Sequence, residues 1–194
     1  MIKIDIQGLD KTMADINRIA KSAKDDVREA LVDFGTKVET QAKRNAPADE
    51  GKLRNSINAT YPVSAQGLSV VITVAADYAA YMEFGTRKFA AAYVATLPQD
   101  WNTYAATFKG KGGGSFDQFL KAIMEWVQRK GIGGLQTKSG NVSKSKDSLA
   151  AQKSAAYLIA MKILREGVKP QPFLYPSVKA HTPALITDIQ KIFK

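Results

Sequence analysis

The stretch Asp77-Tyr78-Ala79-Ala80-Tyr81-Met82-Glu83-Phe84-Gly85-Thr86-Arg87 closes the most strand-like part of the sequence and opens its least regular part. Two tyrosines three apart, followed by Glu-Phe-Gly-Thr-Arg, are unusual for a solvent loop. Aromatic side chains bring large contact area at small entropic cost, and a glycine at 85 permits a bend that a side chain would forbid. A second aromatic and proline cluster, Pro170-Gln171-Pro172-Phe173-Leu174-Tyr175-Pro176, lies far downstream. The two clusters are expected to meet in space, with everything between them an inserted excursion.

Upstream of the first cluster the sequence alternates. Ile57, Ala59, Tyr61 and Val63 interleave with Asn58, Thr60 and Pro62, and Leu68, Val70, Ile72 and Val74 interleave with Ser69, Val71 and Thr73. With Ala65-Gln66-Gly67 as the turn, these runs predict an antiparallel hairpin. A short third strand through Ala80–Phe84 is expected to extend it. Before the hairpin, Pro47-Ala48-Asp49-Glu50-Gly51-Lys52-Leu53-Arg54 is turn-rich, with Gly51 the positive-φ residue.

Earlier still, Met13, Ile16, Ala20, Ala23, Val27, Leu31, Phe34, Val38 and Ala42 step by threes and fours. That is one amphipathic helical stripe, and Asn45-Ala46-Pro47 stops it. A break near Ser22–Asp25, where the stripe holds only alanines, is the alternative. Such a helix would cover one face of the sheet. Ile2, Ile4 and Ile6 on one side of Lys3 and Asp5 predict a half-buried strand, in a terminus too short and too charged for a signal peptide.

Downstream, Phe89 to Phe108 is aromatic and alanine-rich without a clear period, and Lys109-Gly110-Lys111-Gly112-Gly113-Gly114 is a basic glycine tract. Ser115-Phe116-Asp117-Gln118 has capping-box spacing and opens a helix that ends before Gly131. A second helix is expected from about Asp147 to Glu166, with Ala151, Ala155, Leu158, Ile159 and Ile163 inward. Together these make a helical hairpin. Gly167 and Pro170 end it, Pro172 to Pro176 is expected to be extended or turned, and a last amphipathic segment follows, in which Pro183 starts a new helix or kinks the old one. The organisation expected is thus a core domain of 1–87 with 170–194 and an inserted helical excursion over 88–169. The fold class is α+β: a small antiparallel sheet covered on one face by a long N-terminal helix and a C-terminal helix, with an inserted helical hairpin.

The chain has 194 residues, 45% of them hydrophobic, which suffices for a core without staples. There is no cysteine, so disulfide and thiolate chemistry are excluded. A single histidine, His181, leaves no histidine pair for a metal and reads as a polar surface residue. No window approaches the roughly 18–20 apolar residues that span a bilayer. Carboxylates suited to acid–base work must aim at a pocket. The acids here lie mostly on helix faces or in loops. Glu83, beside a glycine turn among aromatics, is the one candidate, and its simpler reading is an ion pair with Arg87 or a neighbouring chain. No catalytic, cofactor or metal residue is assigned, and the protein is not expected to be an enzyme. The net charge of +10 favours a polyanion such as DNA, or a partner with an acidic face. Lys109, Lys111, Lys138, Lys144 and Lys146 are the candidates for sequence-independent phosphate contact; they sit in loops rather than along one reading helix.

Three segments carry a family likeness. Ala46-Pro47-Ala48-Asp49-Glu50-Gly51-Lys52-Leu53-Arg54-Asn55-Ser56-Ile57 resembles the Ala-Pro-x-Asp-Thr-Gly-x-Leu-Arg-x-Ser-Ile segment of the tail-completion, or neck, proteins of long-tailed bacteriophages. Tyr78 to Arg87 resembles that family's Tyr-x-x-Tyr-x-Glu-Phe-Gly-Thr segment, and Gln171 to Pro176 its Pro-Phe-Leu-Arg-Pro close. Glu50 stands where the family usually has Thr, and Tyr175 where it usually has Arg. The resemblance implies a structural virion protein assembled in the host cytoplasm. Its copies would form a ring, a hexamer being the expected count. The ring would complete the tail and join it to the DNA-filled head, between the head connector or adaptor proteins and the tail terminator or tube proteins. DNA would pass through the ring without being read. The interface residues it implies are Tyr78, Tyr81, Glu83, Phe84, Gly85, Thr86 and Arg87 with Pro172, Phe173, Leu174 and Pro176. The alternatives are another minor tail-tube or head subunit and a sequence-independent nucleic-acid-binding module.

Overall fold

The computed structural model describes residues 9–47, 50–64, 67–110, 115–133 and 146–194. The strand expected over Ile2–Ile6 lies outside them. Among the described residues the order is α1 (Leu9–Asn45), α2 (Lys52–Asn55), β1 (Ile57–Thr60), β2 (Val63–Ser64), β3 (Gly67–Leu68), β4 (Val71–Val74), α3 (Ala79–Phe84), α4 (Arg87–Val94), α5 (Gln99–Ala106), α6 (Phe116–Lys130), α7 (Lys146–Glu166) and α8 (Leu174–Ile192). The fold is α+β. It divides into two compact units, Met1–Ala79 with Gln171–Lys194, and Ala80–Pro170.

In the first unit α1 runs unbroken for 37 residues, about 55 Å at 1.5 Å per residue. The thin stretch at Ser22–Asp25 stays helical because alanine and lysine are good helix formers, so a weak stripe there costs packing and not helicity. Burial rises along the helix: Ala23, Val27 and Leu31 are half-buried, and Val38 and Ala42 are fully so. The reason is the length of its partner. α8 has 19 residues, about 28 Å. It starts beside the end of α1, where the Asn45 amide donates to Ser177 Oγ at 3.2 Å and that hydroxyl donates to the Phe173 carbonyl at 2.6 Å. It then runs back along α1. Lys37, held above its ordinary value chiefly by its hydrogen bond to Asp33 at 2.6 Å, also feels Asp188 of α8. Among the described residues α1 therefore extends beyond α8, and Ile19 stays 65% exposed.

The predicted hairpin is present. β1 and β4 pair antiparallel from Ile57↔Val74 to Thr60↔Val71, and β2 and β3 continue the ribbon at Val63↔Leu68. Alternation sends Ile57, Ala59, Ile72 and Val74 inward, while Asn58, Thr60, Val71 and Thr73 face water. This is the one-sided pattern of an antiparallel sheet with a single cover. Val63, at the ribbon's far end, is exposed. α1 is the cover. Glu39 reaches from it with both carboxylate oxygens, one accepting the Ala59 backbone N–H at 2.8 Å and the other meeting Lys43 at 2.5 Å. Farther along, the Tyr61 hydroxyl donates to the Val32 carbonyl at 3.2 Å. Leu53 on α2 and Phe173 at the start of α8 complete the core, with Ile57 and Val38. Each such side chain contributes about 1.5–3 kcal/mol when buried.

Three expectations are corrected. Ala80–Phe84 is helical (α3), not a third strand, because alanines after a turn favour helix over an edge strand with nothing to pair. Leu174 to Pro176 belongs to α8: a proline in a first helical turn loses no hydrogen bond, since that N–H has no intrahelical acceptor. Pro183 sits inside the same continuous helix. The aperiodic Phe89–Phe108 region forms α4 and α5, two short alanine-containing helices separated by Leu97-Pro98.

In the second unit α6 and α7 form the expected hairpin, and α7 also packs on α4. The capping box is real: Ser115 Oγ accepts from the Gln118 N–H at 3.2 Å, and Gln118 Oε1 accepts from the Ser115 N–H at 3.0 Å.

The Glu39 contact ties helix to sheet and gives the first prediction. Hydrogen bonding to Lys43, then to the Ala59 N–H, holds its carboxyl below the usual carboxylate value. A depressed acid stabilises the fold above its unfolded pKa and loses that contribution as pH falls through the folded pKa. Glu39→Gln is expected to cost about 1–2 kcal/mol at pH 7. The gap to wild type should close below the ordinary carboxylate range, as read by urea unfolding at several pH values.

Candidate functional site

The second unit is closed by two backbone segments 82 residues apart. The Thr86 N–H donates to the Val168 carbonyl at 2.9 Å, and the Val168 N–H donates to Thr86 Oγ1 at 2.7 Å. The approach requires two glycines. Gly85 has φ 74°, and a Cβ there would meet the Val168 carbonyl oxygen at 2.8 Å and Pro170 at 2.9 Å. Gly167 has φ 91°, and its Cβ would stand 2.3 Å from the Thr86 carbonyl oxygen. Beside this clasp Lys88 reaches Glu166 at 3.4 Å, and Arg165 reaches it at 3.0 Å. Arg165 first, then Lys88, holds Glu166 below its ordinary value. So the Gly85 bend of the first cluster meets Val168 and Pro170, at the head of the second.

Around the bend stands an aromatic group. Phe84 is buried, with ring centroids of Trp101, Tyr104 and Phe108 at 6.4, 6.2 and 6.2 Å. Tyr104 meets both Trp101 and Phe108 edge-on, at 88°. Such geometry sets the positive edge of one ring against the negative face of the next. Beside this group lies a groove of about 500 Å³. Its floor and walls come from α3 (Tyr81, Phe84), α4 (Ala90, Ala91, Val94) and α5 (Ala105, Ala106), and Arg87 and Lys109 stand on it. Arg87 has φ 53°, a left-handed conformation that costs a non-glycine residue about 1 kcal/mol.

A second surface lies on α7, where burial inverts size. The residues fully covered are Ser148, Gln152, Ala156 and Ala160, spaced by four. On the other side Leu158, Met161 and Leu164 are 69, 44 and 37% exposed, and Tyr157, 50% exposed, meets the Phe116 ring of α6 edge-on at 6.4 Å. Leu158, expected inward, points away from the hairpin.

The sequence-assigned residues fall as follows. Tyr78 is exposed, Tyr81 and Thr86 are half-buried, Arg87 is exposed, and Glu83, Phe84 and Gly85 are buried. Phe173 is buried in the first unit, with Pro172, Leu174 and Pro176 half-buried around it. Lys109 follows α5; Lys111, Lys138 and Lys144 lie outside the described residues, as does the side chain of Lys146. Trp101, Tyr104, Ala91 and Ala105 were not singled out from the sequence. Leu97-Pro98-Gln99-Asp100, a proline ahead of an acidic first turn, is the helix-start signal that would have located them.

Residues 10–85 match the model of the HK97-gp10-like family, described as "Bacteriophage HK97-gp10, putative tail-component". No curated protein and no solved structure matches the chain significantly. The family match is to a bacteriophage tail component, consistent with the tail-completion or neck proteins that the motifs resemble. It spans α1, the hairpin and α3 as far as the Gly85 bend. A tail component is a part of the virion and works among its other structural proteins. No helix among the described residues is long and apolar enough to cross a membrane.

The clasp yields the second prediction. Gly167→Ala places a methyl against a backbone oxygen and forces a strained φ, and should lower stability by more than about 2 kcal/mol. Lys88→Ala, which removes an exposed pair at the same place, should cost less than about 1 kcal/mol. Thermal unfolding of the two variants compares them directly.

Proposed function

We propose that this protein is a structural, non-catalytic subunit of the phage neck, whose copies form a ring that completes the tail and joins it to the DNA-filled head. The observation that carries the assembly reading is the inverted helix α7. A chain that works alone has no reason to bury Ser148 and Gln152 and leave Leu158, Met161 and Leu164 in water. A contiguous apolar face of this kind suits a neighbouring subunit. Ile19, Ile186 and Phe193 of the first unit, at 65, 51 and 70% exposure, supply further apolar surface. Ring closure uses two unlike patches meeting head-to-tail, so faces on both units fit the requirement. The tail-component family match over residues 10–85 supports this reading. The interface residues proposed with it are Tyr78, Tyr81, Arg87 and the residues around Phe173. The excess of lysine and arginine suits a lumen that passes DNA without sequence readout.

Deletion of the coding sequence tests this in infected cells. Filled heads and unattached tails should accumulate in electron micrographs; normal virions would refute the reading. Leu158→Glu should fail to rescue the deletion although the purified variant keeps wild-type stability to within about 0.5 kcal/mol, since Leu158 has little to lose inside its own chain. Full rescue by that variant would remove α7 from the assembly surface.

A further inference from the structure

We infer that the groove formed by α3, α4 and α5 is a docking site for a partner protein segment that carries a bulky apolar side chain flanked by carboxylates. The inference rests on the reading of this protein as one that works among other virion proteins, and it names the chemistry of one such partner. The groove exists because its walls are small. Ala80, Ala90, Ala91, Ala105 and Ala106 stand where larger side chains would close the space, leaving about 500 Å³ open. Its floor is apolar, from Phe84, Phe108 and Val94. Phe84 is buried and packs against the rings of Trp101, Tyr104 and Phe108, so the floor is built by contacts within the chain. A preformed apolar depression favours an occupant that brings an apolar side chain, because water gains little there.

The charge on the groove is one-sided. Arg87 and Lys109 are its charged lining residues, both cationic and both exposed. Arg87 holds its place at a strained φ of 53°, and such strain persists only where the surroundings enforce it. Two cations at the edge of an apolar floor complement carboxylates on either side of an apolar anchor, and they steer such a segment while rejecting basic ones. A nucleic-acid backbone fits less well: it would satisfy Arg87 and Lys109 but leave the aromatic floor facing water.

Selection of short random peptides displayed on the purified full-length protein tests the assignment without choosing a ligand in advance. The enriched peptides should place Asp or Glu beside Trp, Phe or Leu. Measured by fluorescence polarisation, they should bind Ala91→Trp, which fills the groove, and Lys109→Glu, which reverses its rim, roughly tenfold or more weakly. Both positions are exposed, and far-UV circular dichroism verifies that the variants fold. Enrichment of peptides without acids, binding to either variant as tight as to the wild type, or displacement of a bound peptide by duplex DNA would each overturn the proposal. So would failure to enrich any peptide while Ala91→Trp abolishes self-association, which would give the groove to a second copy. These readouts need no ring and no virion, so a failed neck assignment in infected cells and a failed groove are told apart.

Discussion

The second unit depends on two backbone segments touching at a distance no side chain tolerates. Thr86 and Val168 exchange hydrogen bonds across Gly85 and Gly167. Closing a loop of this length costs about 4 kcal/mol of chain entropy. Two hydrogen bonds return about 1 kcal/mol each. The clasp does not close itself, and the balance comes from what the loop contains: the α6–α7 hairpin, the packing of α4 on α7 and the rings around Phe84. The glycines matter more than the charges, because steric overlap with a backbone oxygen has no low-cost relaxation and a surface pair is screened by water.

Helix α7 shows how packing distance decides which residues face inward. Hydrophobicity alone would have buried Leu158 and Met161 and turned Ser148 and Gln152 outward. The observed order is the reverse. Four residues at every fourth position, three of them small, form the buried strip of this helix. The apolar side chains displaced to the far side form a stripe that the chain itself leaves in water. The groove by α3, α4 and α5 comes from the same economy of size: alanines pack the helices near their bases and leave space above them.

The first unit follows the opposite logic, in which large side chains fill the centre. Val38, Leu53, Ile57 and Phe173 meet there, and Glu39 is the polar pin that sets the helix against the sheet. A strand backbone N–H facing a helix lacks a natural acceptor, and an ionised carboxylate reaching from that helix supplies a strong one. The unequal lengths of α1 and α8 then leave Ile19 of the longer helix exposed among the described residues.

By itself the sequence determined the long amphipathic helix, the hairpin with its inward residues, the capping box at Ser115, the turn glycines and the tail-component likeness. All of these are local: a period of 3.6 or 2, a fixed cap spacing, or a contiguous motif carries each one. Only the tertiary structure decided that Ala80–Phe84 is helical, that α8 begins among prolines, that Leu158 faces out, and that Trp101 and Tyr104 join Phe84. Each of these turns on a neighbour far along the chain, on how near another backbone comes and what space remains once it has arrived. No pattern within a window of residues encodes that distance.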